Sequence, residues 1–240
     1  MLQFAYTCSV PFRFFMRDER FKLITIESDF GAGKQGAAQG PGALINELKS
    51  RNFNFIELNN PIQIHPLPSS EDGITPFGKH IAENRKLQET ICTAIETILS
   101  NNSIPFILSG DHSNANGTIS GVKNYFSDKR IGVIWIDAHA DIHSPYTTPS
   151  GNMHGMPLAA LLGINNVLVQ KNNPKEISKM EWENLKQVGS KKIEPKILPS
   201  DLVYIALRST EEEEENIIAK QNIKAFRPEE IASLGIVQVL

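Results

Sequence analysis

Cysteine is nearly absent: Cys8 and Cys92 are the only two in 240 residues. Two thiols cannot build a disulfide framework, which points to a reducing, cytoplasmic setting. A surplus of positive charge is missing too, since 24 Lys and Arg face 27 Asp and Glu, for a net charge of −3. Neutralising a row of phosphates takes a basic surplus, so nucleic acid is not an expected partner. No apolar run approaches the ~20 residues that span a bilayer, so no membrane partner is expected either. Glycine and proline, at 16 and 14, are near average and exclude collagen-like or linker-like sequences. The opening MLQFAYTCSVPFRFF lacks a basic start and is interrupted by Pro11 and Arg13, unlike a secretory signal. Residues 1–20 read as an extension outside the fold, with Met16 as an alternative start, and 21–240 as one domain.

What is present alternates. LITIES (23–28), FNFIEL (53–58), IPFILSG (104–110), IGVIWIDAH (131–139), LVYIALR (202–208) and IKAF (223–226) are β-rich runs. Helical patterns separate them. PGALINELK (41–49) starts on Pro41, and the stretch from Lys79 to Asn101 carries Ile81, Leu87, Ile91, Ile95, Ile98 and Leu99 at helical spacing. Residues 113–126, MPLAALLG (156–163, closed by Gly163) and roughly 210–220 are further helices. Residues 60–78, with prolines at 61, 66, 68 and 76, read as loop, and 165–200 as polar and mixed. This repetition predicts an α/β fold around a parallel sheet. The 131–139 run is apolar on both faces, so it predicts a strand buried on both sides. Parallel sheets bind ligands beyond the carboxyl ends of their strands, which singles out loops 29–40, 109–115, 137–154 and 208–215.

Gly31-Ala-Gly33-Lys-Gln-Gly36 has the spacing of a dinucleotide fingerprint, with Glu57 after it. Gly40-Pro41-Gly42 would break the required helix, so the segment reads as a flexible loop needing positive φ. Asp137-Ala-His139-Ala-Asp141-Ile-His143 is the strongest signal. Carboxylates this close repel each other, and no Lys or Arg lies between Arg130 and Lys171 to neutralise them. A divalent cation resolves the conflict. Asp oxygen and His nitrogen suit Mn²⁺, Zn²⁺ or Fe²⁺, and the lack of nearby Cys disfavours a structural zinc site. His112, in Ser109-Gly-Asp-His-Ser113, gains weight from this neighbour motif. Ser150-Gly-Asn152-Met-His154 would line a pocket above the metal.

SGDHS (109–113), DAHADIHSPYTTPSGNMHG (137–155) and VYIALRSTEEE (203–213), in this order and spacing, resemble the arginase branch of the ureohydrolase family. The similarity covers roughly residues 22–235. It implies a three-layer α/β/α fold with a mainly parallel sheet, and two Mn²⁺ ions that hydrolyse the guanidinium of L-arginine to ornithine and urea through a metal-bridging hydroxide. The related substrates agmatine and formimidoylglutamate are the alternatives. The match implies that His112 binds the first manganese, Asp137 bridges both, His139 binds the second, and Asp141 binds the first and carries a proton to the leaving nitrogen. It implies that His154 shuttles protons, that His143, Ser150 and Asn152 hold the amino-acid end of the substrate, and that Glu211 faces the substrate α-amino group. Ser209-x-x-Glu212 also reads as a helix capping box. The family resemblance further implies a cytoplasmic homo-oligomer, a trimer or hexamer.

One element of the pattern is missing. The family's second Asp-x-Asp has no counterpart here, because Asp201 is the sole aspartate after Asp141. The resemblance also implies a sheet order 2-1-3-8-7-4-5-6. This chain would supply 2-1-3 and 4-5-6 without the central strands, as a C-terminally truncated arginase, one completed by another polypeptide, or one that folds poorly. On that expectation a non-catalytic remnant with at most one weak metal site is the alternative to an active enzyme.

Overall fold

The computed structural model describes residues 20–52, 60–66 and 75–239. The expected strand at 53–58, Glu57 and residues 1–19 of the N-terminal extension lie outside the described residues. In chain order the elements are β1 (Phe21–Ile26), α1 (Gly40–Ser50), β2 (Ile62–Ile64), α2 (Ile81–Ser100), β3 (Ile104–Ser109), α3 (Ala115–Tyr125) and β4 (Val133–Ile136). Then follow α4 (Pro157–Leu162), α5 (Glu176–Lys186), β5 (Leu202–Ile205), α6 (Glu212–Lys220), β6 (Lys224–Phe226), α7 (Pro228–Leu234) and α8 (Ile236–Val239). All strand pairs are parallel, in two three-stranded sheets ordered β2-β1-β3 and β4-β5-β6. Helices flank both. No strand joins β3 to β4 among the described residues, as the 2-1-3 and 4-5-6 expectation required. No helix among the described residues is long and apolar enough to cross a membrane.

Side chains alternate along a strand, and β1 uses both faces. Leu23 packs with Ile45 of α1, whereas Ile24 and Ile26 pack against Leu87, Ile91 and Ile95 of α2. Helices therefore cover the first sheet on two sides. The second sheet departs from expectation. Val133 and Trp135 of β4 are buried, but Ile134 and Ile136 are 45% and 52% exposed. A continuous apolar run reports hydrophobicity, not coverage, and only one face of β4 is covered by described residues. That covered face meets the larger core, where Leu158, Leu161, Trp182, Leu185, Tyr204 and Ile217 are buried together.

Two elements were illegible as pattern. β2 lies inside the presumed loop, between Pro61 and Pro66, and is held in register by β1, with Ile24 opposite Ile62 and Ile26 opposite Ile64. α5 occupies part of the polar 165–200 stretch. Its apolar Ile177 and Met180 are exposed, and its buried face mixes Trp182 and Leu185 with Glu181 and Lys186. Ion pairs satisfy that face: Glu181 Oε2 lies 2.5 Å from Arg85 Nε of α2, and Lys186 Nζ lies 2.9 Å from Glu183 and 3.1 Å from Glu194. Charges inside the apolar stripe blur the helical period. Gly163 ends α4 with φ +68, as read from the sequence.

α2 and α3 approach closely because α3 carries glycine where they cross. A Cβ on Gly121 would stand 2.6 Å from Ile95 Cβ and 2.7 Å from the Cys92 carbonyl oxygen. Backbone cannot step aside as a flexible side chain can. Gly121→Val is expected to lower stability by about 3 kcal/mol through overpacking. A lower urea midpoint with unchanged slope would report it.

Candidate metal centre

Three loop ends converge where the strand-end rule placed the chemistry. After β3, Asp111 caps a short 3-10 turn, His112–Asn114. Its carboxylate accepts the Ser113 N–H at 2.7 Å and the Gly31 N–H at 3.0 Å, which ties the loop after β1 to the loop after β3. After β4, Asp137 still donates its N–H to Ile205 at 3.1 Å. The chain then leaves strand geometry, and Asp141 adopts φ +48, a left-handed conformation uncommon for a non-glycine residue. The surroundings hold that turn. Tyr204 Oη donates to the Ala140 carbonyl at 2.7 Å, Leu158 N–H to the Asp141 carbonyl at 3.0 Å, and the N–H groups of Arg208 and Ser209 to the Ala138 carbonyl.

The result brings His112 Nδ1 to 2.8 Å from Asp137 Oδ2 and 2.7 Å from Asp141 Oδ2. Ligand atoms of these three residues lie within 4.8 Å of one another. Hydrogen bonds donated to Asp137, then to Asp141, outweigh burial and push the His112 imidazole up to about 10. Burial pushes Asp137 up, but the His112 hydrogen bond and the backbone N–H groups of His139 and Ala138 outweigh it and hold the carboxyl at about 2. Asp141 is almost wholly buried and beside a second carboxylate, so its pKa is raised although His112 opposes that. Asp137 Oδ2 is buried and faces His112 Nδ1, with lone-pair capacity left over. Two carboxylates and one imidazole with a spare oxygen lone pair form a hard, mixed O/N donor set, which fits a divalent cation.

A second group adjoins it. His143 is buried, its Nδ1 3.1 Å from Thr147 Oγ1 and its Nε2 3.1 Å from Glu211 Oε2. Burial lowers the His143 pKa, and Glu211 counters it. Glu214 Oε1 lies 3.8 Å from the same Nε2, and burial pushes Glu214 up to about 7 against hydrogen bonds from the Glu211 and Ile142 backbones.

The Arginase family model matches residues 19–240. The arginase of Bacillus caldovelox is 32% identical over 225 residues, which are 91% of this chain and 68% of that protein. The arginase of Staphylococcus aureus strain COL is also 32% identical, over 91% of this chain and 67% of its own length.

The chain belongs to the arginase family.

The crystal structure of Bacillus subtilis strain 168 arginase superimposes with a TM-score of 0.73 at 29% identity, covering 91% of this chain and 68% of that one. The arginase-type α/β fold expected from the sequence is thus the fold observed, and the family is one of amidine hydrolases.

Within this arginase-family site, the structure draws together His112, Asp137 and Asp141 but leaves His139 apart. The His139 side chain is 63% exposed, with Nδ1 3.6 Å from Asp137 Oδ1 and outside the three-residue cluster. Alternation along a strand would have put 137, 139 and 141 on one side, but β4 ends at Ile136 and the chain bends over 137–139, so the alternation stops before His139. His154 is held by its N–H on the Gly31 carbonyl at 3.0 Å, and its charge acts on both Asp111 and Asp141. Ser150 is exposed, and its Oγ accepts the Asn152 N–H at 3.2 Å. The capping box is shifted from the expected place. Glu211, not Ser209, caps α6, with its N–H donating to Glu214 Oε2 at 3.1 Å, because Arg208 and Ser209 are engaged by Ala138. The glycine loop also differs from expectation. Of Gly31, Gly33 and Gly36 only Gly36 has positive φ, whereas a Cβ on Gly31 would meet Ser113 Oγ at 2.5 Å and one on Gly33 would meet Asn152 Nδ2 at 2.5 Å. Tyr204, Glu214 and Lys79 went unnoticed in the sequence. Only the first two carried a signal, as a polar atom in a buried strand and as one of a glutamate run.

Proposed function

We propose that this chain hydrolyses the guanidinium group of L-arginine to ornithine and urea, using Mn²⁺ held by His112, Asp137 and Asp141. The convergence of one imidazole and two carboxylates at the carboxyl ends of β3 and β4, in a chain of this family, carries the reading. When bound, the divalent cation lowers the pKa of a water so that it can attack a resonance-stabilised carbon near neutral pH. Asp137, ionised at any physiological pH, supplies negative charge to hold the cation. Asp141, ionised when it holds the cation, takes the proton of the attacking water on its carboxylate and gives it to the departing nitrogen. His154 exchanges that proton with solvent. His143, Asn152 and Ser150 orient the amino-acid end of the substrate, and Glu211 faces its ammonium.

A single-ion, non-catalytic reading has its own support in the exposed position of His139, which leaves three grouped donors rather than the set needed for two ions. Purified chain equilibrated with Mn²⁺ should separate the two. Two bound ions with urea released from L-arginine fit the enzyme, whereas one weakly bound ion without urea fits the remnant.

A further inference from the structure

The segment Ser150-Gly151-Asn152 is clamped by a residue from a distant part of the chain. Lys79, just before α2, donates its N–H to the Gly151 carbonyl at 2.9 Å and its Nζ to Asn152 Oδ1 at 3.1 Å. Opposite, Gly33 leaves room for the other end of the amide, since a Cβ there would stand 2.5 Å from Asn152 Nδ2. An ammonium has donors only, so it can be met by the oxygen end of the amide and not by the nitrogen end. The orientation of Asn152 is therefore dictated by charge. Its Nδ2, with two donors, is turned away from Lys79 towards the Gly33 loop, which Gly31 ties to Asp111 beside the metal cluster.

We propose that Lys79 is a positioning and specificity residue, which sets the Asn152 amide to donate to a substrate carboxylate and supplies the matching positive charge. The assignment rests on the arginine reading of the site and narrows it to guanidino compounds that carry a carboxylate. Charge complementarity agrees. Glu211 and Glu214 lie on His143, and Lys79 lies on Asn152, so the two groups suit the ammonium and the carboxylate of an α-amino acid. Lys171, the nearby alternative cation, is paired with Glu213.

The test uses the 240-residue chain loaded with Mn²⁺ and calorimetric titration of L-arginine and of agmatine, its decarboxylated counterpart. Wild type should bind L-arginine the more tightly. Lys79→Met should weaken L-arginine binding by roughly tenfold, the scale of a charge-assisted hydrogen bond, while agmatine binding moves less than about twofold. Lys79→Arg should restore most of the loss. In an Asn152→Ala background Lys79→Met should add little, because the two act as one unit. Equal weakening of both ligands would mean that Lys79 only supports the fold, and an unchanged L-arginine affinity would mean that it does nothing for the carboxylate; either overturns the proposal alone. Wild type that binds neither ligand overturns the arginine reading, and this assignment falls with it.

Discussion

Asp137→Asn is expected to abolish both metal retention and urea release. Asn keeps the size and the backbone contacts of Asp137 but removes the charge that faces His112 at 2.8 Å. Losing an outer partner of a ligand typically costs 10–100-fold in metal affinity, so losing a charged ligand should exceed about 100-fold. Manganese per chain after dialysis, read by elemental analysis, should fall from stoichiometric to background, and urea release should follow. The fold should survive, since Ala140 and Asp141 remain anchored by Tyr204 and Leu158. Asp201→Asn is the control. Its carboxylate pairs with the exposed Arg130 on the far side of the β5 start, so its loss should leave metal content unchanged. Retention of manganese by Asp137→Asn would place the ion elsewhere.

Metal affinity should rise steeply with pH, about tenfold per unit. The sign follows from His112. Its folded pKa of about 10 exceeds the usual 6.5, because Asp137 and Asp141 both face Nδ1. In the metal-free chain the imidazolium is thus present throughout the neutral range, and its ion pairs stabilise the fold fully below pH 6.5 and vanish as pH rises through 10. A cation needs the neutral ring, so binding expels one proton until pH approaches 10. Between pH 6.5 and 8.5 the gain is about 100-fold. Asp137, held at about 2, stays ionised and adds nothing in this window. Asp141, raised by burial, adds a second proton to expel towards acid and steepens the fall there. Calorimetry in buffers of different ionisation enthalpy would count the protons. An affinity flat from pH 6.5 to 8.5 would show that His112 is not a ligand.

Much of this was written in local spacing. Alternating β-rich and helical runs specified the α/β class, since strand and helix periods are properties of neighbouring residues. The Asp137-to-Asp141 cluster was legible for the same reason, because acids packed into five residues without a basic partner demand compensation. His112 needed the strand-end rule as well, which brings the ends of β3 and β4 to one side of the fold.

What lay beyond sequence was set by contacts between distant residues. β2 is a strand because β1 supplies its ladder, not because three residues between prolines prefer one. α5 is a helix because Arg85 satisfies Glu181 inside the packed face. His139 stands outside the cluster because β4 ends at Ile136 and the chain bends over 137–139, where the Arg208 and Ser209 N–H groups hold the Ala138 carbonyl. The pairing of Lys79 with Asn152 joins positions that no periodicity relates. Residue types within a few positions determine which chemistry is affordable, because repulsion and propensity act at short range. Which of those groups finally meet depends on the packing of whole elements, whose geometry no short window of sequence contains.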